Sequence, residues 1–181
     1  MDTPTLEYII KQRTQGAVLA KKALMGLGYV VLFAILAVVI ILLSAPLFRI
    51  PFLLLDLIFC LKVAYVSWRF LCVEYELTFG GGEVVMTVIY GKSIRKKKAC
   101  VPINSLCEVG IYDDGAYEKL CSMSLQRNYI AVSSMSAEVI YYAVFDEGKD
   151  RCVLYFEADD RAIKYIRQQN FGAIRAGNIK I

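Results

Sequence analysis

Residues 73–90 read VEYELTFGGGEVVMTVIY, two runs of strand-forming residues on either side of three consecutive glycines. In the first run Tyr75, Leu77 and Phe79 point one way while Glu74, Glu76 and Thr78 point the other, which is the period of a half-buried strand. Gly80-Gly81-Gly82 supplies the turn, and Glu83 to Tyr90 is the β-branched and apolar run of a returning strand. A β-hairpin is therefore expected just after Arg69, where a chain of helical character changes its period.

Upstream the chain is far more apolar. Its composition is 57% hydrophobic with a mean hydropathy of +0.50, and the excess lies in the front third. Ala23 to Leu43 carries no charge, and a helix of that length rises ~30 Å, the thickness of a bilayer's hydrocarbon core. A cleaved signal peptide would have a shorter apolar region ending in small residues. A second apolar segment, Pro51 to Trp68, follows a turn from Ser44 to Ile50, and so short a link makes the two helices antiparallel neighbours. Residues 23–69 are thus expected to form a two-helix transmembrane hairpin. Lys11, Arg13, Lys21 and Lys22 precede it and Arg69 closes it, against Arg49 in the link, so both termini of this multi-pass cell-membrane protein are expected in the cytoplasm.

Residues 1–22 are expected to form an amphipathic, cytoplasmic or interfacial helix. Thr3-Pro4 reads as its cap and first position, Leu6, Ile9 and Ile10 share a face, and Gly16 ends the pattern.

Asp56 and Lys62 are the informative residues of the second span. Each mid-helix charge costs about 2.5–3.5 kcal/mol, which roughly cancels ten apolar residues at about 0.3–0.6 kcal/mol each. The helix is therefore expected to depend on its hairpin partner or on another chain. Six residues apart, the two charges lie about 9 Å apart along the axis and do not neutralise each other. Two readings stand: snorkelling towards the headgroups, with Asp56 nearer the outer end, or self-association and a functional role through the charges.

Residues 70–171 are expected to form a cytoplasmic β-rich domain, with a tail at 172–181. Beyond the first hairpin, strands are suggested near Ile94–Val101, Leu106–Tyr112, Tyr129–Ser133, Glu138–Phe145 and Cys152–Phe156. Asp159 then caps a short helix whose face carries Ile163, Ile166 and Tyr165, ending at Asn170 to Gly172. Gly80-Gly81-Gly82 lacks the Lys-Ser/Thr of a phosphate cradle, and Asp113-Asp114-Gly115 lacks the remaining calcium ligands, so both read as turns.

Tyr75-Glu76-Leu77-Thr78, then Ile89-Tyr90-Gly91, a basic stretch, and Val101-Pro102-Ile103-Asn104-Ser105-Leu106 with Val109 together resemble the opening of bacterial membrane-anchored pleckstrin-homology-like domains. Two membrane helices directly before this pattern are also similar to that family. The resemblance covers roughly Val73 to Arg167 and is poor between Tyr112 and Ser136. It implies a PH-like bent barrel or sandwich of about seven strands capped by a C-terminal helix, used for binding or assembly and not for catalysis.

Arg95-Lys96-Lys97-Lys98 is the sharpest charge cluster, and contact with an anionic leaflet is expected of it, since each such residue near the surface is worth about 1 kcal/mol. The bland reading is a strand edge shielded by lysines. From Phe70 onward fourteen Lys and Arg meet fourteen Asp and Glu, a balance that argues against nucleic acid. The six cysteines match no zinc spacing and are expected to be buried free thiols. With no histidine the usual general base is missing. The expected protein is non-enzymatic, without metal, cofactor or small-molecule substrate, and meets the bilayer and a protein partner or a second copy. The alternatives are a subunit of a transport or channel complex using Asp56 and Lys62, and a membrane-embedded enzyme or maturation factor using Cys60 or Cys72.

Overall fold

The computed structural model describes residues 5–14 and 16–174. The expected tail at 172–181 lies largely outside them, as do Thr3 and Pro4. In chain order the elements are strand β1 (Leu6–Lys11), helices α1 (Ala17–Leu43) and α2 (Arg49–Leu71), strands β2 (Val73–Gly80), β3 (Glu83–Tyr90), β4 (Ile94–Pro102) and β5 (Leu106–Ile111), helix α3 (Asp114–Ser122), strands β6 (Arg127–Ala131), β7 (Tyr141–Glu147) and β8 (Asp150–Phe156), and helix α4 (Asp160–Gln169). They fall into two compact units. One runs from Arg13 to Val73 and includes the turn Tyr90–Lys92; the other holds the segment ending at Gln12, Glu74–Ile89 and everything from Ser93.

The first unit is a helical hairpin. A 3-10 turn at Pro46–Phe48 joins α1 to α2, and Tyr29 on α1 meets Ser67 on α2 through a 2.5 Å hydroxyl contact, the antiparallel arrangement a short link dictates. The shielded positions of α1 include 25, 29, 33, 36 and 40 and those of α2 include 53, 56, 60, 63, 67 and 71, three and four residues apart as a packing seam requires. Among the described residues α1 is the one helix both long and apolar enough to cross a membrane, from Val18 to Leu43. Helix α2 carries four charged residues, Arg49, Asp56, Lys62 and Arg69.

The second unit is a sandwich of two four-stranded sheets, ordered β1-β2-β3-β4 and β5-β7-β8-β6. It is not a closed barrel. Phe79 of the first sheet and Phe156 of the second meet at 6.1 Å between ring centroids, in a core that also holds Leu77, Ile103, Val109 and Leu154. Seven strands follow the helices, as expected; an eighth precedes them.

That eighth strand corrects the expected N-terminal helix. Leu6–Lys11 pairs antiparallel with β2, from Leu6 opposite Phe79 to Lys11 opposite Glu74. Leu6, Tyr8 and Ile10 are the more shielded positions and Glu7, Ile9 and Lys11 the exposed ones, so the segment alternates. Six residues are too few to sustain a helix without tertiary support, whereas β2 offers an open edge. Tyr8 packs edge-on against Phe79 at 5.8 Å and donates its hydroxyl hydrogen to Asp159, the cap of α4.

The second sheet is covered on its outer face by α3, where a turn was expected. Asp113 accepts from the Ala116 N–H at 2.7 Å and so starts a helix at what reads as a turn sequence. Ala116 and Leu120 pack on Tyr142, Val144 and Val153. Strands β7 and β8 are thereby buried on both faces, which is why Tyr141–Phe145 is apolar without alternation. On the opposite side α4 closes the sandwich. Its Tyr165 hydroxyl accepts from the Gly82 N–H at 3.2 Å, and the Asn170 side-chain amide donates to the Ile103 and Leu106 carbonyls at 2.9 and 3.1 Å. The chain then bonds to β5 through Val109 N–H and the Ala173 carbonyl, 2.7 Å, shielding that edge.

Candidate functional site

Strand β4 is the edge of the first sheet opposite β1. Its second half is anchored, with Ala99 and Val101 in the core, while Ile94 to Lys98 are all exposed. The half-strand that carries Arg95, Lys96, Lys97 and Lys98 has no core beneath it, so its composition is free to be charged.

The four residues are not equivalent. The Arg95 guanidinium lies 3.7 Å from a carboxylate oxygen of Glu76, whose side chain is only 12% exposed. Arg95 thus serves partly to neutralise a charge that the sheet buries. Lys96, Lys97 and Lys98 make no ion pair among the described residues, and side chains alternate along a strand, so Lys96 and Lys98 share one face and Lys97 takes the other. The site is three unpaired ammonium groups on an unpaired strand edge, an arrangement that attracts anionic surfaces and repels another strand.

The two charges inside α2, Asp56 and Lys62, are not brought together. Asp56 sits in the α1–α2 seam, 7% exposed. One of its oxygens accepts from the Cys60 thiol at 3.4 Å, and the other has no hydrogen-bond partner. Lys62 is exposed. The spacing Leu53, Asp56, Cys60, Val63, Ser67 already marks Asp56 as a seam residue, a signal the charge itself obscures.

The cysteines depart from expectation too. Cys60 and Cys152 are buried and Cys72 is half-buried, but Cys100, Cys107 and Cys121 are exposed. Burial comes first among the causes that push the Cys107 and Cys152 thiols up, with nearby carboxylates adding to it, which is the reverse of what a nucleophile needs. No group of three or more Cys, Asp or Glu among the described residues is placed to hold a metal ion.

Sequence reasoning reads Gly91-Lys92 as a turn and gives Lys92 no further role. It stands in the β3–β4 turn with φ of 62°, the one non-glycine residue with positive φ among those described. With Gly91 also at positive φ, the hairpin turn has left-handed backbone at both central positions, where glycine or asparagine is usual and lysine is not.

A model of the family described as bacterial PH-like domain matches residues 5–174. The chain belongs to that bacterial PH-like family. Comparison with curated proteins finds no match, and comparison with solved structures finds none either. The matched region begins before β1 and ends after α4, so the helical hairpin of this PH-like chain lies inside the family's domain, between its first and second strands. PH-like domains are generally non-enzymatic. The functional question therefore becomes which surface the sandwich presents.

Proposed function

We propose that this PH-like chain is a non-enzymatic, two-pass protein of the bacterial cell membrane whose sandwich stands in the cytoplasm and touches the anionic leaflet through Lys96, Lys97 and Lys98. The observation that carries the two-pass reading is the β1–β2 pairing. β1 ends at Lys11, before α1, and is bonded residue by residue to β2, which starts at Val73, after α2. Both ends of the hairpin must then lie on one side of any membrane that α1 crosses, and α2 must return despite its charges. The basic residues at those ends favour the cytoplasmic side.

Leaflet contact is supported by the three unpaired lysines. Arg95 follows Lys92 by three residues, at most about 11 Å of extended chain, and each lysine within a Debye length of an anionic surface is worth about 1 kcal/mol. Assembly through a second copy is the weaker reading, because lysines on an open edge oppose strand addition.

Two measurements test the proposal. In sealed, right-side-out cells a membrane-impermeant maleimide should label Leu47→Cys in the link and spare the exposed thiols Cys100, Cys107 and Cys121; the opposite pattern would place the sandwich outside. A dye on Cys100, the thiol of β4, should be quenched by headgroup-labelled lipid in nanodiscs containing phosphatidylglycerol. Quenching should fall at high salt and in the triple Lys96, Lys97, Lys98→Gln variant, and quenching indifferent to lipid charge would remove the leaflet contact.

A further inference from the structure

The helical unit carries a second feature that the basic strand does not explain. A cleft of about 550 Å³ lies where the last turns of α2 meet the Gly91-Lys92 turn. Leu61 and Ala64 make an apolar floor, Tyr65 and Trp68 supply aromatic wall, and Arg69 and Lys92 add two cations.

The turn is held firmly in place. The Gly91 N–H donates to the Cys72 carbonyl at 2.9 Å, and Tyr90 packs on Phe70 at 6.0 Å between ring centroids. A side chain at Gly91 would put its Cβ 2.7 Å from the Cβ of Arg69, so only glycine lets the turn approach the helix this closely. The next residue is the lysine in the left-handed region. Asparagine or glycine would relieve that backbone, and strained positions of this kind gather at ligand clamps.

We propose that this cleft seats one anionic glycerophospholipid, its phosphodiester between Arg69 and Lys92 and its acyl chain along Leu61, Tyr65 and Trp68. The chemistry selects the occupant. A soluble phosphate makes no use of the apolar floor, and a purely apolar ligand makes no use of two cations. A lipid uses both, and Tyr, Trp and basic residues at the end of a spanning helix are the side chains that settle at headgroup depth. The proposal rests on the two-pass reading given above. It differs from the leaflet contact of β4 in being a single stoichiometric seat.

Trp68 is the chain's single tryptophan, so its fluorescence reports this cleft alone. The full chain would be placed in nanodiscs carrying either acyl-brominated phosphatidylglycerol or acyl-brominated phosphatidylcholine at equal mole fraction. Phosphatidylcholine has the same phosphodiester neutralised by its choline, so two protein cations facing a headgroup of net charge −1 and not zero correspond to roughly 30-fold preference for the anionic lipid in half-quenching concentration, dropping to about fivefold when one is removed. Lys92→Asn, which suits the left-handed backbone, and Arg69→Gln should each show that drop, and Lys92→Arg should keep the full preference. The triple Gln variant of β4 should keep it too.

Equal quenching by both lipids would overturn the seat while leaving the two-pass reading intact. Quenching by neither would overturn both, since Trp68 would then lie outside the bilayer. Loss of the preference in the β4 variant but not in Lys92→Asn would assign it to the strand, and loss on adding excess glycerol 3-phosphate would assign the cleft to a soluble ester; either result overturns the proposal.

Discussion

Replacing Tyr8 by phenylalanine removes one hydroxyl from β1 and tests whether the N-terminal segment is a structural part of the sandwich. In the structure that hydroxyl donates to Asp159, which also caps α4 by accepting from the Arg161 and Ala162 N–H groups at 3.0 and 3.1 Å. A hydrogen bond to a charged group contributes about 1.5–3 kcal/mol. The Asp159 side chain is 38% exposed, and solvent screening brings the expectation to about 1–2 kcal/mol. For a domain of this size that is roughly 5–10 °C in Tm. The assay is thermal unfolding of the full chain in detergent at pH 7, followed by near-ultraviolet circular dichroism, with hydrogen exchange on the β1 and β2 amides. Unchanged Tm together with unchanged protection of β1 would refute the latch.

The pH profile gives the same contact a second signature. Desolvation pushes the Asp159 carboxyl up, but hydrogen bonds from Tyr8, Arg161 and the Ala162 backbone, with the charge of Arg161, outweigh it and hold it down at about 2. A depressed carboxylate contributes stability above its unfolded value of about 3.9, and that contribution is lost as pH falls through the folded value. Tyr8 moves the other way. Burial, with its bond to Asp159, pushes it up to about 12, so its contribution is complete below about 10 and lost as pH rises through 12. The stability difference between wild type and Tyr8→Phe should be flat from about pH 4 to 10 and shrink beyond either end.

Gly110→Ala places a Cβ 2.9 Å from the Tyr142 ring, whose hydroxyl donates to Glu108 at 2.7 Å, and should cost about 1–3 kcal/mol in chemical denaturation; a neutral result would mean the ring has room to move. Asp56→Leu should ease insertion of α2 by about 3–4 kcal/mol in a translocon insertion assay. Weaker insertion would show that the unpartnered oxygen is satisfied by something the hairpin supplies.

What the sequence disclosed depended on how far away each answer lay. The 73–90 hairpin is legible because its strands pair with each other across a glycine turn, and α4 because Asp159 and the spacing Ile163, Ile166 are local. LEYIIK is ambiguous on its own: Leu6, Ile9 and Ile10 fit a helix face, while Leu6, Tyr8 and Ile10 fit a strand. The partner that decides, β2, lies beyond both helices. Helix α3 hides for another reason, since only Ala116 and Leu120 of its residues are buried and Gly115 in its first turn reads as a breaker. The charges of β4 were visible, but Glu76 as the partner of Arg95 was not, because β3 lies between their strands in the sheet.

The placement of the hairpin inside the sandwich has a consequence for how the domain can be made. Bringing β1 to β2 without the helices would close a loop of some sixty residues, at a length-dependent entropy of roughly 3–4 kcal/mol. An inserted helical hairpin removes that cost by returning the chain to its starting point. A chain begun at Val73 therefore lacks more than a tail: β2 becomes an open edge, Phe79 loses its contact with Tyr8, and Asp159 loses a donor. Lys11 lies opposite Glu74, so the ends that the helices join are already neighbours, and a two-residue turn such as Asn-Gly spans an antiparallel pair of this kind. Replacing residues 12–73 by Asn-Gly should give a soluble, monomeric sandwich with its β1 amides protected from exchange, and the chain begun at Val73 should aggregate. Equal behaviour of the two would mean that β1 is an ornament of the sheet and not one of its strands.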